Sequence, residues 1–362
     1  FNQLLPIMFT TLQTEKPALY TYYRKAEEEF IQLIQNSDLD IAVKHNPSLM
    51  DNFEDILSFA LDEVYKNSNV CDRAHLFLQR VLYYINRLKF FWFDDLGNYT
   101  NEDSTILFFI RKRIETEWME WELNHFETDL LDSLGYEEAL NKRFKEDLNP
   151  LPTKESLFLK DEILLAGYKR LLAITSLDGL VEASQLSRVL GGVGNEIQLM
   201  LAKIFWEEYG CGKLSHKHSS YFIAMLKECG METDPEAYFA LVPWEVLANI
   251  NHSFLLSERK KNYLRYVGGL LYVEVSAPSS FENYQKAGKR IGLSDGGIGY
   301  WSTHIKEDIR HGEWMLNKVA FPLSSKYPDQ AWQIVLGYDQ QKFISTRAIK
   351  SIVESIRKLD HY

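Results

Sequence analysis

Residues 300–314 read YWSTHIKEDIRHGEW, with His304, Asp308 and His311 at steps of four and three residues. On an α-helix each residue turns by about 100°, so these steps bring all three side chains onto one stripe. Two imidazoles and a carboxylate are poor core material and an unusual solvent face. They are good material for holding a metal ion. The alternative is a solvated face that happens to contain two histidines, because short motif matches arise by chance. The rest of the chain has to decide between the two.

Three other stretches carry polar residues where apolar ones are expected. WEEYGCGKLSHKHSSYF (206–222) has Glu207 and Glu208 at a helix end, then a glycine turn, then His216 and His218. LYVEVSAP (271–278) sets Glu274 between valines, and LDGLVEASQL (177–186) sets Glu182 in an apolar run. A carboxylate among apolar residues is costly unless it is paired, protonated or bound to a metal. A water-facing glutamate is the simple alternative for each, but Glu274 resists it. Its helical neighbours are Leu270, Leu271, Ala277 and Pro278. Several helical segments each offering a carboxylate or imidazole to one interior follow the logic of a dinuclear carboxylate site. Hard carboxylates with imidazoles suit iron or manganese, whereas a closed zinc site needs only four ligands. A rival lies in WELNH, where Glu122 and His125 have the Glu-x-x-His spacing of ferritin-like bundles. Those bundles need two copies, and one is present. The segment around it is dense in both charges and reads as a solvated or interdomain helix.

The elements that must position these residues read as helices almost throughout. Segments 16–36, 52–65, 73–93 and 107–134 carry apolar residues at three- and four-residue steps. KEDLNPLPTKES (145–156) has two prolines within three residues and is the best linker. A chain of 362 residues exceeds the usual size of a single core. The expected domains are therefore 1–149 and 150–362. In the second, 156–190 reads as one helical run ending at GGVG (191–194), although Gly179 is a candidate break. Asn195 is placed to cap the helix 196–209, a helix follows over about 214–229, and the segment 258–277 stops at Pro278. LLYVEVSA tempts a strand assignment, but its long helical run-up argues for helix. The fold class read from the sequence is all-α.

Composition narrows the function. A net charge of −11 argues against a general nucleic-acid or anionic-membrane surface. No apolar run spans a bilayer and no signal peptide is visible. Cys71, Cys211 and Cys229 form no CxxC pair, which suits a reducing compartment and a cytoplasmic location. Cys211 and Cys229 read as small buried residues. Trp206, Tyr209, Phe222, Tyr272, Tyr300 and Trp301 either line a pocket or, more simply, pack the core. The aromatic run LYYINRLKFFWF (82–93) offers more apolar surface than a small bundle hides, so the N-terminal domain is expected to support a homodimer.

Taken together, EYGCGKLSHKHSSYF, an isolated glutamate and HIKEDIRH resemble the haem-oxygenase-like diiron oxidases. Members show an E-Y-G-x-G turn, a histidine shortly before an aromatic or leucine pair, a glutamate on the next core helix and a closing H-x3-D-x2-H. Carried over by residue, the metal ligands fall on Glu208, His218, Glu274, His304, Asp308 and His311. Alignment of HSSYF favours His218 over His216. Glu182 matches an extra glutamate that N-oxygenating members supply from the first core helix. Separations of 26, 10, 56 and 30 residues from Glu182 through Glu208, His218 and Glu274 to His304 also resemble those members, as does a leading helical domain. The resemblance covers about 155–320 by motif and the N-terminal half by architecture alone. The cupin domain that can follow the oxidase domain is not expected here, so its rearrangement to a nitroso product is not implied.

The resemblance implies a haem-oxygenase-like helical bundle holding two iron ions, with O2 as co-substrate. It also implies an external electron donor, either a separate reductase or a chemical reductant, since no flavin or iron–sulfur motif is present. The implied reaction on a small-molecule substrate is N-hydroxylation of an amine or guanidine of an amino-acid-like compound in secondary metabolism. One alternative is a diiron oxidase cleaving C–C or C–H bonds of a small amino or fatty acid, by oxidative decarboxylation or fragmentation. The other is a non-catalytic helical binding module. Glu182 favours the first over the second, and the donor constellation disfavours the third.

Overall fold

A computed structural model describes residues 16–67, 71–91, 93–125, 135–192 and 194–359. Residues 126–134 of the expected helix 107–134, Trp92 of the aromatic run and Val193 of GGVG lie outside the described residues. Among the described residues there are helices, turns and loops and no strand, so the all-α reading holds. The chain divides into two compact units, Phe1–His125 and Phe126–Tyr362.

The first unit contains α1 (Lys16–Ile34), α2 (Leu39–His45), α3 (Asp51–Leu61), α4 (Asp72–Arg87) and α5 (Thr105–Leu123). Buried Phe53, Ile56, Leu57, Ala60 and Leu61 trace the inner stripe of α3. Phe53 stacks on Phe30 at 4.7 Å between ring centroids, and Tyr23 stacks on Phe77 at 5.4 Å. The aromatic run is largely consumed within this unit, with Leu82, Tyr83, Ile85, Leu88 and Phe90 buried and Phe91 exposed. α5 is not the solvated helix that its charges suggest. It buries Trp118 and the ion pair Arg111–Glu115 (2.8 Å), because the two charges neutralise each other one turn apart. Asp40 accepts from the Thr105 amide (2.8 Å) and Ser104 caps through the Leu107 amide (3.3 Å), together holding the α5 N-terminus.

The second unit contains α6 (Tyr136–Leu148), α7 (Leu165–Gly179), α8 (Glu196–Glu208), α9 (His218–Glu228), α10 (Trp244–Ser257), α11 (Tyr263–Arg290), α12 (Gly299–Trp314) and α13 (Trp332–Arg357). α11 is its axis, packed against α10, α12 and α13. α11 and α13 cross at glycines. A Cβ on Gly268 would overlap the Ile334 carbonyl oxygen, and one on Gly337 would overlap that of Arg265. Only glycine permits this backbone-to-backbone approach.

Three expectations about this half change. α6 precedes the Pro-containing joint near residue 150 yet belongs to the second unit. Arg143 grips Asp339 with two bonds of 2.6 and 2.7 Å, and Tyr338 (2.9 Å) and Lys342 (2.7 Å) both donate to Asp147. The prolines end a helix without ending a packed body. The run 156–190 is also broken, by a π-helical turn at Phe158–Glu162 and again after Gly179. Finally, α11 does not stop at Pro278 but continues through it to Arg290. Proline removes one amide, so the Glu274 carbonyl cannot receive the usual bond from residue 278. Burial on several sides carries the helix across that gap.

Candidate metal centre

Each donor reaches the interior from a different local device. The α12 stripe is as the spacing predicts, with His304, Asp308 and His311 all buried. Glu274 is buried in the middle of α11, and Glu208 is the last residue of α8. Asn195 starts α8 by accepting from the Gln198 amide at 3.0 Å. After α8 the chain reverses at Gly210, whose φ is +64° and where a Cβ would overlap the backbone at His216 and Lys217. That reversal lets His218 open α9 with its ring buried, while His216 stays exposed. Of the two histidines, His218 is the one that faces inward.

Glu182 does not come from a helix. α7 ends at Gly179, where a Cβ would stand 2.9 Å from the Phe222 ring, and the chain turns through Ala183 at φ +61°. The carboxylate still reaches the cluster, with Glu182 Oε1 2.8 Å from His304 Nε2 and accepting from the Tyr300 hydroxyl at 2.8 Å.

All seven sequence-predicted donors converge. Glu182, Glu208, His218 and His304 offer ligand atoms within 4.8 Å of one another, and Glu208, Asp308 and His311 do the same. The two groups share Glu208. Its Oε2 lies 2.7 Å from His218 Nδ1, and its Oε1 lies 3.4 Å from His311 Nδ1. Glu274 joins the second group, with Oε2 3.4 Å from His311 Nδ1.

Each imidazole has one nitrogen occupied on the far side. His304 Nδ1 meets the Tyr300 carbonyl (2.9 Å), His218 Nε2 meets Glu307 (3.1 Å), and His311 Nε2 meets Glu207 (2.9 Å). The other nitrogen of each ring is turned into the cluster, as metal-binding histidines are held. Glu182 Oε2 and Asp308 Oδ1 are buried without a hydrogen-bond partner. Orphaned buried polar atoms are rare, and two around one cluster are what a bound cation would satisfy. Carboxylates with imidazoles suit iron or manganese. The residues fit the group that the motifs implied.

The electrostatics agree. Burial raises Asp308 well above the usual carboxylate range and raises Glu274 too. Burial would lower the histidines, but bonds to Glu208 and Glu307 lift His218 to about 9, and bonds to Glu208 and Glu274 lift His311 to about 11. Burial also opposes the ionised form of Glu208, yet bonds from His218 and His311 hold it below its ordinary range. Without a cation the cluster therefore gathers protons, which metal binding displaces.

Several sequence assignments change here. Glu307 and Glu207 were not selected as site residues, although both back imidazoles. The signal for Glu307 was its position three residues beyond His304, on the same helix. Glu122 and His125 do not form a site. Glu122 is buried and accepts from the Trp118 indole (2.9 Å), while His125 is exposed with Nδ1 2.6 Å from the Trp121 carbonyl. Phe222, Tyr300 and Trp301 are buried beside the cluster, Tyr272 is also buried, and Trp206 is exposed. Cys229 is buried, but Cys211 is exposed in the glycine turn.

Five of the donors, Glu182, Glu208, Glu274, His304 and Asp308, border a cavity of about 180 Å³, whose walls also include Asp178, Ala183, Asn249, Val273, Phe281 and Gln341. A second, more apolar cavity of about 240 Å³ shares Asp178, Asn249, Val273 and Phe281 with it.

A helical bundle that gathers carboxylates and imidazoles into its interior is the arrangement expected of the haem-oxygenase-like oxidases that the motifs resemble. Residues 169–340 match the family model described as iron-containing redox enzyme, which bears out the resemblance read from the motifs. Over 168 residues the chain is 27% identical to nitrosourea synthase of Streptomyces achromogenes subsp. streptozoticus, an alignment covering 46% of this chain and 36% of that protein. The match thus spans little more than a third of the relative's length. Among the described residues, no helix is long and apolar enough to cross a membrane.

Proposed function

We propose that this chain is a non-haem diiron oxygenase that uses O2 to hydroxylate nitrogen on a small amine or guanidine. The observation that carries the reading is the pair of donor groups sharing Glu208. Glu182, His218 and His304 would hold one iron and Glu274, Asp308 and His311 the other, with Glu208 common to both donor groups. Two ferrous ions so held supply Lewis acidity and the electrons that reduce O2. The protein's own contribution is orientation and exclusion of water. Glu207, Glu307 and the Tyr300 carbonyl fix the rings, and Phe222, Tyr300 and Trp301 close the side of the cluster nearest α9. Reducing equivalents come from a separate reductase or a small reductant.

Two features support nitrogen rather than carbon as the target. Glu182 adds an anionic oxygen to the His304 group, which favours an oxidised metal. The 27% identical relative is named for making a nitrosourea, a product with oxidised nitrogen. Anaerobic ferrous loading should give about two irons per chain, and His304→Ala or Asp308→Ala should lower that content. Exposure to O2 with a panel of amines and guanidines should yield a product with oxygen added on nitrogen. Unchanged iron content in both variants would sink the metal assignment. Products with cleaved carbon bonds and no oxygen on nitrogen would replace N-hydroxylation with fragmentation.

A further inference from the structure

Asp178 sits one turn before Glu182, near the end of α7. Its side chain is exposed, but into the interior, where it lines both the donor cavity and the apolar cavity beside it. The Gln185 amide is its polar neighbour. Neither cavity has a lysine or arginine in its wall. Charge accounting makes this carboxylate conspicuous. Glu182, Glu208, Glu274 and Asp308 balance two divalent ions when the three imidazoles are neutral. Asp178 is then a surplus negative charge facing a cavity whose wall offers it a neutral amide and no side-chain cation.

We infer that Asp178 is the counter-ion for a cationic nitrogen group on the substrate, an ammonium or guanidinium, whose apolar part extends into the adjoining cavity. Val273 supports this as the facing wall, since it is 43% exposed in the middle of α11 and lines both cavities. Fatty acids are disfavoured, because a carboxylate would meet Asp178 with no side-chain cation nearby. The inference rests on reading the donor cavity as the reaction chamber, and it makes Asp178 a residue of substrate recognition.

The test is calorimetric titration of the iron-loaded full chain, without O2, using butylguanidinium, butylammonium, neutral butylurea and butyrate. The parent should bind both cations at least about tenfold more tightly than butylurea or butyrate. Asp178→Asn should abolish that preference while iron content and thermal melting stay at parent values. Val273→Phe, which narrows the chamber without changing charge, should weaken cations and butylurea alike. If butylurea or butyrate binds the parent as tightly as the cations, the inference is overturned. It is equally overturned if Asp178→Asn keeps the preference. Should Asp178→Asn fail to fold, the panel on the parent alone decides. If iron does not load but the cation preference is present and vanishes in Asp178→Asn, the diiron reading falls and the recognition role stands.

Discussion

His218 and His311 each spend one ring nitrogen on a carboxylate outside the donor cluster, Glu307 and Glu207 respectively. A ring tethered in this way presents its other nitrogen in a fixed direction and with raised basicity. Glu307→Gln and Glu207→Gln should therefore each weaken ferrous binding by about 10–100-fold with no change in fold. Competition against a coloured chelator measures this, and parent-like affinity in both variants would show that the tethers are incidental. The inner donors were legible in the sequence because a carboxylate among valines, or a histidine pair at helical spacing, contradicts its surroundings. Glu307 and Glu207 contradict nothing. Each stands beside a better candidate on a charged stretch, and only the folded distances separate it from an ordinary surface glutamate.

Among the helices, the crossing of α11 and α13 decides whether the second unit holds together. Gly268 and Gly337 stand where a side-chain carbon meets a backbone carbonyl, which cannot rotate away as a side chain would. Gly268→Ala should cost about 3 kcal/mol, read as a lowered melting midpoint and lower denaturant tolerance. Gly296→Ala makes a suitable control, since the nearest atom to a Cβ there is the Ser294 hydroxyl at 3.6 Å. Equal loss in both variants would refute the close-packing argument. Periodicity gave the helices, but not all of their ends. Pro278 reads as a stop because local sequence favours one, and α11 overrides it through burial. The run 156–190 reads as continuous because nothing local shows that Phe222 occupies the space beside Gly179.

For the whole molecule the informative point is where it divides. A fragment beginning at residue 135 keeps α6 and its bidentate Arg143–Asp339 contact, whereas one beginning at Leu151 loses both. The longer fragment should melt several degrees higher, because the shorter one lacks the buried Ala139 and Leu140 and leaves Tyr338 and Lys342 without Asp147. Equal melting temperatures would place α6 outside the folded body. Light scattering on the full chain and the longer fragment tests the proposed homodimer. A dimeric chain and a monomeric fragment are expected if the first unit makes the contact, and a fragment that stays dimeric would move that contact elsewhere. The boundary was misplaced in the sequence because proline and charge mark the end of a helix, while a packed unit ends where long-range contacts cease. Nothing in the composition of 136–148 shows that it will lie against α13.

The same glycine crossing has a mechanical consequence. α11 and α13 supply one side of the chamber, through Gly269, Leu270, Val273, Glu274, Ala277 and Gln341. Helices in contact through their backbones have no side chains between them to compress or re-rotamer, so that side is stiff. Another part of the wall is the stretch that carries Glu182, Ala183, Gln185 and Leu186, and it runs on to Gly191 and Gly192, both at positive φ. Its backbone is held by single turns and the short 3-10 helix Leu186–Val189 rather than by an α-helical ladder. Compliance is therefore one-sided. The Glu182 carboxylate thus stands on the less braced part of the wall and the Glu274 carboxylate on the stiff one.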